Sequence, residues 1–148
     1  VRVYFAAAIT NASRDISVLQ GLLQHLEARG HEVPTRHIVE ANARELDALL
    51  TNAELARRDL AWLAASHALI AEVSTPSHGV GIEVATALHR GLPVLLLYRA
   101  GTRVSRLLLG LPGSQVQPYR SLDEATAAMD AFLARLEPPR ATRTSTAV

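Results

Sequence analysis

Cysteine is absent from the 148 residues. That excludes disulfides, thiolate metal sites and cysteine nucleophiles, and it fits a cytoplasmic protein. Neither sign of charge is in excess, since 15 Lys+Arg against 14 Asp+Glu leave a formal net charge of +1. No large field therefore draws nucleic acid or an anionic membrane to the chain. No run of about 18 apolar residues occurs, so no transmembrane helix is expected. The opening Val1-Arg2-Val3-Tyr4-Phe5 lacks the basic and apolar regions of a signal peptide and reads straight into a buried strand. Several motifs are missing as well. Gly79 and Gly81 are followed by Val84 where a dinucleotide fingerprint needs a third glycine, and no phosphate loop ending in GKS or GKT is present. His37, His67 and His78 show no metal-ligand spacing, so solvated or capping roles are expected of them and no metal is. No nucleophile elbow supports Ser-His-Asp chemistry.

What remains is an ordinary globular balance, 49% hydrophobic and 20% charged. Apolar runs alternate with helical patterns. Val1 to Ala8 reads as a strand covered on both faces, His31 to Pro34 as a weak second strand, Ala68 to Val73 as a third and Pro93 to Tyr98 as a fourth. Val116 to Tyr119 makes a fifth, placed at an edge by Pro118. Between them, Ser13 or Asp15 can cap a helix that carries Ile16, Leu19, Leu22, Leu23 and Leu26 and ends at Gly30. Ala41 to Leu50 reads as another helix. Thr51 with Glu54 and Ser121 with Glu124 are capping-box signatures for two more, and Ile82 to Arg90 is a helix closed by Gly91.

This alternation implies a single doubly wound α/β domain, flavodoxin- or Rossmann-like, over residues 1–137 with about five parallel strands. Residues 138–148, rich in Pro, Arg, Thr, Ser and Ala, are expected to form a mobile tail. Ligands of such sheets sit beyond the carboxyl ends of the strands. The segments Tyr4–Asn11, Ser74–Glu83 and Arg99–Arg106 are therefore the places for chemistry.

Glu83 falls in the first turn of the helix read from Ile82, where the helix field favours an ionised carboxylate unless burial outweighs it. Such a group can attack a sugar carbon, or it can simply complement the helix dipole. Asp59 shares a helical stripe with Leu55, Trp62 and Leu63. If that stripe is inward, desolvation raises its pKa and suits it to acid–base work. If the alternative stripe through Ala53, Ala56 and Leu60 is inward, Asp59 is a rim residue paired with Arg57 or Arg58. Tyr4 reads as a core phenol, Ser77 and Ser105 as possible hydrogen-bond donors to phosphate, and Glu72 as a structural carboxylate.

Three blocks, in this order, carry a resemblance. They are Tyr4-Phe5-Ala6-Ala7-Ala8-Ile9, Arg58-Asp59-Leu60-Ala61-Trp62-Leu63, and Ala71-Glu72-Val73-Ser74-Thr75-Pro76-Ser77-His78-Gly79-Val80-Gly81-Ile82-Glu83. Over residues 3–136 the chain resembles the 2′-deoxynucleoside 5′-phosphate N-hydrolases of the nucleoside 2-deoxyribosyltransferase superfamily. The resemblance implies that Glu83 is the nucleophile, Asp59 the acid–base carboxylate, and Tyr4 the residue that orients Glu83 and crowds the 2′ position. It also implies that Ile9 lines the base pocket, and that Ser77, Gly79 and Gly81 form the phosphate and sugar pocket. Ser105 would reach the phosphate from the other subunit of a homodimer. No cofactor is implied. Where family members often carry Gly-Ser-Ile-Arg, this chain has Ala7-Ala8-Ile9-Thr10, which removes a hydroxyl and a guanidinium from the phosphate site. Arg14, Arg103 or Arg106 would have to supply the charge instead. Related activities implied by the same blocks are deoxyribosyl transfer and ribonucleotide N-glycosidase action, while the helix-start pocket alone would also suit a noncatalytic nucleotide-binding module.

Overall fold

The computed structural model describes residues 1–136, and the tail expected at 138–148 lies outside them. Four parallel strands form one sheet in the order β1 (Val3–Ala7), β2 (Ala68–Glu72), β3 (Val94–Arg99), β4 (Ser114–Tyr119). The first two are buried along their whole length, as continuous apolar runs covered on both faces require. β4 closes one edge, and Pro118 sits in it opposite Tyr98.

The weak second strand is a correction to the sequence reading. It shrinks to one parallel bridge between Arg2 and Glu32, so the sheet has four strands rather than five. The cause is local. Pro34 has no N–H to extend the ladder, and the Thr35 hydroxyl takes over the pairing, accepting from the Phe5 N–H (3.1 Å) and donating to the Phe5 carbonyl (2.6 Å). One side chain thus satisfies a buried peptide unit that a further strand would otherwise pair.

Helices cover both faces. α1 (Ile16–Ala28) and α6 (Leu122–Ala134) pack on one, where Leu22, Leu26, Met129 and Leu133 meet Val3, Phe5, Ile70 and Leu95. On the other face α3 (Asn52–Ala64) and α4 (His78–His89) bring Leu63, Val80 and Val84 against Tyr4, Ala6, Leu69 and Leu96. With the Glu32 bridge lying beside β1, the chain crosses from one face to the other between that bridge and β2. A crevice opens at such a point.

Helix starts follow the sequence closely. Asp15, rather than Ser13, caps α1 by accepting from the Val18 N–H. Thr51 and Glu54 form the full capping box of α3. Ser121 accepts from the Glu124 N–H at the start of α6. Two boundaries move. The helix expected over 41–50 is only α2 (Ala43–Asp47), following a 3₁₀ turn at Arg36–Val39. α4 begins a turn earlier than Ile82, at His78, with Ser77 as its cap. The short α5 (Arg106–Leu109) is capped by Ser105.

Candidate active site

The earlier start of α4 changes the setting of Glu83. It stands at the sixth helical position, beyond the first turn in which the helix field is felt, so that field does not hold its charge. Its carboxyl points back over β1 instead, where the buried Tyr4 hydroxyl donates to Oε1 at 2.6 Å. Burial pushes Glu83 up to about 7, against the Tyr4 hydrogen bond, with the nearby negative charge of Asp59 adding to the rise. Tyr4 is itself driven far above the ordinary phenol value by burial and by the facing Glu83, so it stays a proton donor throughout the neutral range.

Asp59 reaches the same place from α3. The inward stripe is the one through Leu55, Asp59, Trp62 and Leu63, with Leu63 fully buried, while Ala53 and Ala56 are exposed and Leu60 is 43% exposed. The two sequence readings of Asp59 are both partly right. It faces inward, and it is also paired with Arg58, whose Nε and terminal nitrogen lie 2.9 and 2.8 Å from Oδ1. Burial raises its pKa and the Arg58 guanidinium opposes the rise.

One cleft is lined by Tyr4, Ile9, Asp59 and Glu83 together with His37 and Thr35. Tyr4, Asp59 and Glu83 lie far apart in sequence, and their convergence is the geometry that chemistry on a small bond needs. Ser77, Gly81 and Ser105 line a second, larger groove of about 550 Å³ along the start of α4 and α5, with Arg103 and a wall of Val73, Val80, Val104 and Leu108. Ser77 there is occupied as the helix cap, accepting from the Val80 N–H at 3.3 Å. Gly79 sits in the first turn of α4, where an added Cβ would meet only the Ser77 hydroxyl, at 3.8 Å.

Of the arginines that could replace the missing Gly-Ser-Ile-Arg guanidinium, Arg14 is already engaged. Its guanidinium donates to the carbonyls of Ile38 (2.5 Å), Glu40 (3.1 Å) and Ala8 (3.4 Å), and so ties the loop after β1 to the segment before α2. Arg103 lies in the groove with Ser77 and Ser105. Glu72 is structural in its contacts, as its position at a strand end suggests. It is 6% exposed and accepts from the Ser74 hydroxyl and from Tyr119 (3.0 Å).

His37 corrects the expectation of a solvated or capping histidine. It lines the cleft, its ring 5.8 Å from that of Trp62 and its Nε2 3.3 Å from Asp47. Sequence reasoning also passed over Asp47. No spacing links residues 37, 47 and 58, because the contact is made by three elements meeting. Among the described residues no group of three His, Asp or Glu is placed to hold a metal ion, and no helix is long and apolar enough to cross a membrane.

No protein-family model matches the chain. Curated relatives do. A protein of Thermofilum pendens, provisionally named 2′-deoxynucleoside 5′-phosphate N-hydrolase 1, is 34% identical over 137 residues, covering 90% of this chain and 95% of its own. One of the same name from Methanococcoides burtonii is 34% identical over 110 residues, covering 74% and 90%. The mouse 5-hydroxymethyl-dUMP N-hydrolase is 32% identical over 132 residues, covering 86% and 76%. Among solved structures, the CMP N-glycosidase of Clostridium botulinum aligns with a TM-score of 0.67 at 20% identity, covering 89% of this chain and 99% of its own. A 2-deoxyribosyltransferase of Bacillus psychrosaccharolyticus aligns at 0.57 with 15% identity, covering 85% and 90%. At such identities the structures speak for the fold, which is Rossmann-like.

Proposed function

Because the chain belongs to the 2′-deoxynucleoside 5′-phosphate N-hydrolase family, we propose that it cleaves the N-glycosidic bond of 2′-deoxynucleoside 5′-monophosphates. The products are the free base and 2-deoxyribose 5-phosphate. The observation that carries this reading is the Tyr4–Glu83 hydrogen bond, made inside a cleft that Asp59 also lines.

The reaction is a double displacement. Ionised Glu83 attacks the anomeric carbon as the C–N bond breaks, and Asp59 gives a proton to the departing base. Water then adds to the anomeric carbon, Asp59 takes its proton, and the ester to Glu83 breaks. Tyr4 grips Oε1 of the nucleophile and leaves Oε2 for attack. Its ring, which lines the cleft, is assigned the role of crowding the 2′ position in favour of deoxyribose. Ile9 provides an apolar wall for the base. Ser77, the backbone of Gly79 and Gly81, and Ser105 are assigned to the sugar and phosphate, with Arg103 available to supply the charge that Thr10 lacks.

A homodimer fits the surface. Ile82 and Leu107 are 62% and 79% exposed and flank the apolar groove, a costly pair to leave in water. Covering that groove with a second copy would bring a partner's Ser105 to the phosphate end of the site. The deciding experiment is chromatography of deoxynucleotides, ribonucleotides and deoxynucleosides after incubation with the protein, with and without a second free base. Base release from deoxynucleotides is expected. Release from ribonucleotides alone, base exchange in place of hydrolysis, or binding with no release would each replace the assignment.

A further inference from the structure

Asp59 is held by its neighbour in sequence in a way the reaction above does not yet use. Adjacent helical residues point about 100° apart, so Arg58 and Asp59 meet only because the arginine stem curls back. Both of its contacts end on the same atom, Oδ1. Two other groups set that curl. The Arg58 Cζ lies 4.7 Å from the ring centre of Trp62, one turn along α3. A terminal nitrogen lies 3.0 Å from Oδ1 of Asp47 on α2. Asp47 is nearly buried, and its Oδ1 is met at ion-pair distance by Arg58 and His37 without a well-aligned hydrogen bond. Arg58 is thus the main fixed countercharge of a buried anion as well as the clamp on Asp59.

We propose that Arg58 is the positioning residue of this site, fixed by Trp62 and Asp47 so that it holds Oδ1 of Asp59 and confines proton transfer to Oδ2. The proposal rests on the reading of Asp59 as the acid–base group. A guanidinium always donates and never accepts, so an oxygen that it contacts through two nitrogens has little capacity left for a proton. The other oxygen carries it. The same positive charge opposes the rise that burial causes in the Asp59 pKa, and so favours the carboxylate left once its proton has gone to the base, the form that must then act as base. The remaining ionisable groups around Asp59 are Tyr4 and Glu83 across the cleft and His37 and Asp47 beside Arg58. No hydrogen bond or ion pair joins any of these four to the Asp59 carboxylate, which among the described residues is held by Arg58.

The test is steady-state kinetics of Arg58→Met and Arg58→Lys on a deoxynucleotide whose base leaves poorly unless protonated, across pH, with thermal melting to check folding. Arg58→Met should lower kcat by about tenfold or more while KM changes little. The pH break belonging to Asp59 should rise by about one unit once its positive neighbour is gone. Arg58→Lys should restore the pH break but not kcat, because a lysine supplies charge without the planar grip. Wild-type kcat and an unmoved profile in a folded Arg58→Met would overturn the proposal. Should that variant fail to fold, wild-type kcat in Arg58→Lys overturns it equally. Asp59→Asn, assayed alongside, separates the two levels. If it too turns over normally for every base, the acid–base assignment fails. If it is slow while the Arg58 variants are not, only the positioning role fails.

Discussion

At the residue scale, Glu83 is governed by desolvation. An ordinary glutamate is ionised well below neutrality, whereas here burial lifts it to about 7 and only the Tyr4 hydroxyl holds it down. A nucleophile must be deprotonated, so kcat/KM should climb through pH 7 on its acid side. Tyr4→Phe removes the stabilising donor, and the acid limb should then move to higher pH in a pH–rate profile. Glu83→Ala should abolish base release, by about three orders of magnitude or more, with the far-ultraviolet circular dichroism unchanged. Linkage gives a further expectation. Because the folded pKa lies above the unfolded one, the folded state binds more protons between pH 4.5 and about 7. The Glu83 contribution to stability is therefore fully present below that window and lost as pH rises through it. At about 1.4 kcal/mol per unit the loss reaches at most about 3.5 kcal/mol. Glu83→Gln should accordingly raise Tm relative to the unmodified protein at pH 8, and the gain should vanish near pH 4. A pH-independent difference would mean that Glu83 is not desolvated.

At the scale of the element, the site hangs on two helix starts. α3 carries Arg58, Asp59 and Trp62 and begins with the Thr51–Glu54 capping box. Thr51→Ala should cost about 1 kcal/mol of unfolding free energy, read from urea denaturation, with kcat intact because the cap lies two turns from Asp59. The α3 start was legible in the sequence, since a cap is a short-range pattern of polar side chain and backbone. Two element boundaries were not. α4 extends back to His78 because Ser77 can cap it there, through glycines at 79 and 81 that score poorly as helix formers. The strand expected at His31–Pro34 reduces to a bridge because Thr35 pairs with Phe5 through its side chain, which no period of two reveals.

For the whole molecule, the sheet brings Tyr4 on β1, Asp59 on α3 and Glu83 on α4 to one cleft, and leaves an apolar groove open beside it. Leu107→Asp places a charge at the flank of that groove. If the groove is the homodimer face, sedimentation should show the dimer lost, and phosphate-bearing substrates should suffer more than nucleosides, because the partner's Ser105 leaves with it. A Leu107→Asp protein of unchanged mass and KM would locate the contact elsewhere.

Sequence alone settled four of the five strands it offered, the Thr51 and Ser121 helix caps and the blocks that carry the family likeness, because each is written in residues close together along the chain. Tertiary structure decided which stripe of α3 faces inward, why Glu83 is shifted upward rather than held ionised, and that His37, Asp47 and Arg58 surround Asp59. Burial and charge pairing depend on what other elements bring within a few ångströms. That distance is fixed only when the whole chain has closed on itself.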